Sequence, residues 1–136
     1  MSGLNEILWR SSLDWKTLIG SAEAVIQRWN TVTRFETRTD LREQIWTVRH
    51  SSNGLPFMVF NGDSLRGSVP RNGNPMSFLL LIGICHQRAG AIELSFANGQ
   101  KIDPHRFDPA DLQALLPQAT HPAHRKLAEL AIQAPA

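Results

Sequence analysis

Residues 75–90 read PMSFLLLIGICHQRAG and contain the longest uncharged apolar run of the chain, Met76 to Cys85. Whether this run is helix or strand decides the fold. It is apolar on every side, so periodicity cannot separate a buried helix from a buried strand. Its ends carry the signal instead. Asn74 suits an N-cap, Pro75 the first helical position, His86 and Arg88 a last turn and Gly90 the residue past it, which together favour a helix. Gly83 and Ile84 speak for a strand, which is the alternative. Either way the segment belongs to the core, and it is about half as long as a bilayer span requires.

Upstream, Trp15, Leu18, Ile19, Ala22, Val25, Ile26 and Trp29 recur at helical spacing and form one apolar stripe between Ser12 and Asn30. Ser11 or Ser12 is the expected cap, Asp14 lies in the first turn, and Asn30 stops the helix. Leu4, Ile7 and Leu8 are expected to form a short preceding helical turn. From Thr31 the period changes. Val32 to Thr37, Ile45 to Val48 and Leu55 to Phe60 are rich in β-branched and aromatic residues, and they predict an antiparallel meander with a hairpin at Asn53-Gly54. Pro56 cannot donate to a ladder, so it belongs at a strand start or on an edge.

Residues 62–75, GDSLRGSVPRNGNP, hold enough glycine and proline to prevent a long element. They are expected to form a solvent-facing loop, with Leu65 to Val69 as an optional short edge strand. Beyond the apolar run, Ile92, Leu94 and Phe96 alternate on a strand that Asn98-Gly99 turns back on itself. Asp108-Pro109 opens a helix ending at Leu116 before Pro117. A last helix begins near His121-Pro122, and Ala134 to Ala136 form a fraying tail.

These elements give an α+β fold: a long N-terminal helix, a mainly antiparallel sheet of four to five strands, a buried central helix (or strand) and two C-terminal helices. Residues 1–136 are expected to make a single domain, since 136 residues with 42% apolar content suffice for one core. Disorder, collagen and coiled coil are excluded by the same composition. Repeated βα units are missing, which argues against a doubly wound nucleotide-binding fold.

The chain carries a formal charge of +2 and a sequence pI near 9.2. The high value reflects few groups that lose protons below pH 10, with no Tyr, one Cys and only Lys16, Lys101 and Lys126 as lysines. It is not a polyanion footprint. The single Cys85 allows no intramolecular disulfide and excludes a CxxC metal framework, which fits a reducing compartment. The N-terminal stretch lacks a basic n-region and is interrupted by Glu6, so a soluble, cytoplasmic protein is expected.

Candidate chemistry is sparse. Cys85 beside His86 has the residue types of a thiol nucleophile and base, but the thiol ends the most apolar run, where it is ordinarily inert. His86, His105, His121, His124 and Asp103 are residue types that hold zinc, yet no HExxH or second acid accompanies them. No metal or cofactor is therefore expected. Asp63, Glu93, Asp103 and Asp108 are possible acid–base carboxylates, read more simply as turn, cap and solvated strand residues. Arg66, Arg71 and a helix start at Pro75 have the order of an anion cradle without its glycine signature.

Seven arginines and four acids fall between residues 28 and 71, a net of +3. Arg34 and Arg38 share strand parity, and with Arg49 and Trp46 they outline a basic, stacking surface for RNA or DNA. Cross-strand pairing of Glu36 and Glu43 with those arginines is the plainer reading. Trp46, if exposed, is an interface anchor. The leading expectation is a small non-enzymatic binding module, an adaptor or inhibitor. It docks on a macromolecular partner, a protein or protein–nucleic acid complex, through the 62–75 loop with Arg66 and Arg71 as charged contacts. The alternatives are a nucleic-acid-binding domain using Arg34, Arg38 and Arg49, and a small enzyme without a local motif. Homo-oligomerisation through residues 55–60 and 76–85 is a further expectation, and no membrane partner is expected.

Overall fold

The computed structural model describes residues 6–51 and 54–133. Within it the decisive run is a helix, α2 (Met76–Gln87), in which every residue from Met76 to Cys85 is buried. Asn74 Oδ1 accepts the Met76 N–H at 2.9 Å, and Gly90 leaves the helix with φ +77. The helix is nevertheless one residue shorter at each end than the sequence signals implied: Pro75 is its N-cap, and Arg88, extended, its C-cap, with Gly90 two residues further on. Gly83 spoke for a strand, and packing explains its presence. A Cβ at residue 83 would lie 2.7 and 2.9 Å from the two methyls of Val25 and 3.3 Å from the Ala131 carbonyl. Glycine lets two neighbouring helices approach at that point.

Those neighbours are α1 (Trp15–Trp29) and α4 (Pro122–Ala131). The whole expected stripe of α1 is buried. Its cap is Asp14 and neither Ser11 nor Ser12. The Thr17 N–H donates to Asp14 Oδ1 at 3.3 Å, and the Thr17 hydrogen bonds hold the Asp14 carboxyl below the usual carboxylate range. Ser11 Oγ instead accepts the Leu13 N–H. Asn30 ends the helix and ties it to the next strand, accepting the Phe35 N–H at 2.7 Å and donating to the Phe35 carbonyl at 3.2 Å. Trp29 Nε1 donates to the Leu127 carbonyl. Arg28 donates to the carbonyls of Leu130 and Ala131, so α1 holds the C-terminal end of α4.

Seven strands among the described residues form two antiparallel sheets, where one sheet of four to five was expected. The first contains β1 (Glu6–Ser11), β5 (Arg66–Pro70), β6 (Ile92–Phe96) and β7 (Lys101–Ile102) in the order β5-β1-β6-β7. Ile7 and Leu8 therefore lie on a strand and not in a helical turn; Leu4 lies outside the described residues. The alternation explains this, because Ile7, Trp9 and Ser11 are buried while Glu6, Leu8 and Arg10 are exposed. Within residues 62–75 the optional edge strand forms, as β5, which pairs along β1 from Glu6↔Pro70 to Arg10↔Arg66, so the segment is not one solvent-facing loop.

The second sheet is the expected meander, β2 (Phe35–Asp40), β3 (Ile45–His50) and β4 (Pro56–Asn61). β2 starts three residues after Val32, because Val32 and Thr33 still donate to the Trp29 carbonyl. Asn53 of the expected hairpin turn, like the Ala134–Ala136 tail, lies outside the described residues. Pro56 begins β4, an edge strand, as its missing N–H requires. The register slips between Val48 and Arg49. Opposite that slip the Phe57 carbonyl accepts a hydrogen bond from the buried Ser77 hydroxyl of α2.

The two sheets meet through Phe60. Its ring packs edge-on to Trp9 of β1 at 5.3 Å and stacks on Trp46 of β3 at 5.5 Å. The chain then ends in α3 (Leu112–Leu115), preceded by a 3₁₀ turn where one helix from Asp108 to Leu116 was expected, and in α4. No helix among the described residues is long and apolar enough to cross a membrane.

Alanine is the better helix former by about 1 kcal/mol, so Gly20→Ala on the exposed side of α1, where nothing lies within 4 Å of the new methyl, is expected to stabilise the fold. Gly83→Ala is expected to do the reverse. Overpacking against Val25 outweighs propensity and lowers unfolding free energy by about 1–2 kcal/mol, measurable by urea unfolding. A Gly83→Ala protein as stable as wild type would show that the helices can part without cost.

Candidate functional site: the open face of the four-stranded sheet

The side chains of the first sheet that point away from the core share one face by register. Arg10 stands between Arg66 on β5 and Glu93 on β6, and Leu8 stands between Ser68 and Ser95. Lys101 on β7 is opposite Ser95. Together they line a shallow depression of about 620 Å³. Leu8 is 38% exposed there, an apolar centre flanked by two hydroxyl-bearing residues.

Electrostatics distinguish Arg66 from the other cations. Glu93 accepts from Arg10 at 3.1 Å and faces Lys101 Nζ at 3.6 Å. The hydrogen bond from Arg10 and the charge of Lys101 hold its carboxyl below the ordinary range. Arg66 is exposed and makes no ion pair or side-chain hydrogen bond among the described residues. Its cross-strand neighbour is another guanidinium, Arg10, and like charges directly opposite on a sheet are unfavourable. The backbone here is fixed closely: a Cβ at Gly67 would fall 2.8 Å from the Trp9 indole nitrogen, so glycine next to Arg66 lets the Trp9 ring cover the edge strand.

The other nominated residues do not converge on this face. Arg71 follows β5, turns inward, donates from Nε to the Leu115 carbonyl at 2.8 Å and lies 5.4 Å from the Phe96 ring centroid. It holds α3 to the sheet. β5 also puts roughly 13 Å of strand between Arg66 and Pro70, so Arg66 and Arg71 do not cradle one anion. Arg38 and Arg49 lie on the second sheet and Arg34 just precedes its first strand, so none of the three shares a strand face with Arg66. Arg49 is bonded to Glu36 at 2.9 Å, the plainer reading given above; Arg34 and Arg38 are exposed. Trp46 is wholly buried and donates to Glu23 Oε1 at 2.6 Å, so it offers no stacking surface. Sequence reasoning missed Arg10, Leu8, Ser68, Ser95 and Lys101. The alternation in Glu6–Ser11 hinted at Leu8 and Arg10, and that of Ile92, Leu94 and Phe96 at Ser95.

Other chemistry-bearing groups lie apart from the depression. The histidines form two ring pairs, His86 with His105 at 4.8 Å and His121 with His124 at 5.9 Å. Among the described residues no three His, Cys, Asp or Glu side chains converge as a metal site would need. Asp103 and Asp108 accept backbone N–H groups of His105 and Ala110 as caps. Residues 76–85 are covered by the chain itself, leaving Leu55 and Val59 as the exposed apolar residues of the proposed self-association segments. The chain matches no protein-family model, and no curated protein and no solved structure is significantly similar to it.

Cys85 is buried against the Ile92 carbonyl, and burial pushes its thiol up to about 12. Ellman's reagent at pH 8 is expected to modify it only as fast as the protein unfolds. Because the folded thiol holds its proton more tightly, its contribution to stability is complete below about pH 8.5 and is lost as pH rises toward 12. Rapid labelling of the native protein would contradict this. Arg66→Thr relieves the opposed guanidinium and adds a strand former, so it is expected to raise stability by about 0.5 kcal/mol at low salt. That gain should shrink as salt is added. A loss of stability would mean that Arg66 is structural.

Proposed function

We propose that this chain is a non-enzymatic binding module, an adaptor or inhibitor, that docks on an acidic protein surface through the open face of its four-stranded sheet. One observation carries the reading: Arg66 is exposed directly opposite Arg10 and pairs with no acid among the described residues. A folding requirement does not explain that arrangement, whereas a partner carboxylate does. Guanidinium pairs bidentately with carboxylate and sheds water at lower cost than ammonium. Leu8 beneath the cations supplies the apolar centre around which charged contacts gain strength as water leaves. Buried Trp46 and paired Arg49 weigh against the nucleic-acid alternative, which retains Arg34 and Arg38.

A photocrosslinking residue at Ser68, used in the native cell extract with and without nuclease, tests the reading. A nuclease-resistant protein adduct is expected, lost in Arg66→Glu and kept in Arg38→Glu. Binding of wild type to defined RNA and duplex DNA is expected to be weak. Tight binding that falls steeply and log-linearly with salt, and that Arg38→Glu abolishes, would replace this reading with the nucleic-acid one.

A further inference from the structure

A second depression, distant in sequence from the arginine face, lies where the first turn of α4 meets the end of β3 and the start of α2. Its volume is about 480 Å³, within the range of small-molecule sites. Phe35, Met76 and Leu127 are among its apolar lining; its polar lining is His121, His124 and Lys126 together with His50, Thr33 and Asn74, and no Asp or Glu among the described residues lines it.

Hydrogen bonding assigns the protons of the two α4 histidines. His121 caps the helix, its Nδ1 accepting the Ala123 N–H at 3.0 Å. An accepting Nδ1 bears no proton, so the neutral ring carries its proton on Nε2. His124 Nδ1 is buried without a partner. A buried bare acceptor is tolerated more readily than a buried unpaired N–H, which favours the His124 tautomer with its proton on Nε2. Burial, and then the neighbouring His121, lower the His124 pKa and keep the ring neutral at pH 7. Metals bind imidazole through a lone pair, and in these tautomers the Nε2 of each ring is an N–H. This pair is built to donate.

We propose that the groove binds a small organic carboxylate, its apolar body against Phe35, Met76 and Leu127 and its carboxylate held by the Nε2–H groups of His121 and His124 and the ammonium of Lys126. On the α4 side two imidazole donors and one cation face the groove with no acid among the described lining residues, which complements a carboxylate, and the apolar lining complements a hydrocarbon or aromatic body. The site is independent of the arginine face, so Arg66→Glu is expected to leave it unchanged.

Titration of the full chain with butyrate, octanoate and 3-phenylpropionate, each beside its alcohol, followed by calorimetry and by methyl and imidazole NMR, tests the proposal. At least one acid is expected to bind tenfold or more tightly than its alcohol, shifting the Met76 methyl and His124 ring signals. His121→Asn preserves an N-cap acceptor and removes the ring donor, so it should weaken the acid about tenfold, the usual worth of a charge-assisted hydrogen bond. His124→Leu should weaken it similarly without lowering the unfolding midpoint, since it replaces an unpartnered buried nitrogen. Equal affinity for acid and alcohol, no shift at Met76 or His124 with any of the three acids, or full affinity in His121→Asn would overturn it. The wild-type comparison of acid with alcohol decides even if a variant fails to fold.

Discussion

A helix that is apolar all round can persist in water only if something covers every side of it, and α2 imposes that demand on the rest of this chain. Its run from Met76 to Cys85 is buried throughout, which one neighbouring element could not achieve. α1 and α4 cover it from the helical side, and β4 and β6, one from each sheet, reach it from the other. Gly83 sets how close the helices come. Truncating any of Leu79, Leu80 or Leu81 would leave a void in this centre, at the cost of about 2–5 kcal/mol typical of such changes. The two-sheet arrangement follows from the same demand, because a flat sheet buries one face only.

Covering α2 uses up the inner faces of both sheets and leaves the outer ones to solvent. On the second sheet the outer charges are partly settled within the chain, Arg49 by Glu36. On the first sheet Glu93 is the shared acid of Arg10 and Lys101, and Arg66 has no acidic partner among the described residues. A charge on a paired strand differs from one on a mobile loop, because the backbone is already ordered and only side-chain freedom is lost when it is engaged. The Trp9 ring lying over Gly67 adds to that order next to the guanidinium.

Local signals were legible in the sequence and pairing was not. The α1 stripe, the helical state of the α2 run, the β3 and β4 runs and the alternation of Ile92 and Leu94 each depend on residues within a turn or two, and each appears where expected. Glu6–Ser11 was misread because its six residues contain Ile7 and Leu8 adjacent, which mimics a helical start until Trp9 and Ser11 are seen to continue the alternation. Arg66 was read correctly as exposed. Arg71 was not, because the Leu115 carbonyl and Phe96 ring that engage it come from elements 44 and 25 residues away in sequence. Trp46 turned inward for a similar reason: its hydrogen-bond acceptor Glu23 lies on α1. The residues that complete the open face, Arg10, Glu93 and Lys101, become neighbours only once β1 lies between β5 and β6.

α4 links the core to the histidine groove, and its two ends are held differently. Toward the C-terminus, Arg28 and Trp29 of α1 donate to the carbonyls of Leu127, Leu130 and Ala131; burial of the Arg28 guanidinium lowers its pKa without removing its charge in the physiological range. Charge-assisted bonds of this kind fix the end of α4 that packs on α2. Toward the N-terminus the first turn is held by the His121 cap, with Pro122, Ala123, Arg125 and Lys126 exposed. Helix ends with few buried contacts open at lower free energy than the packed middle. A ligand that bridged His121 and His124 would therefore stabilise the end of α4 with least support of its own, and would leave the α2 packing undisturbed.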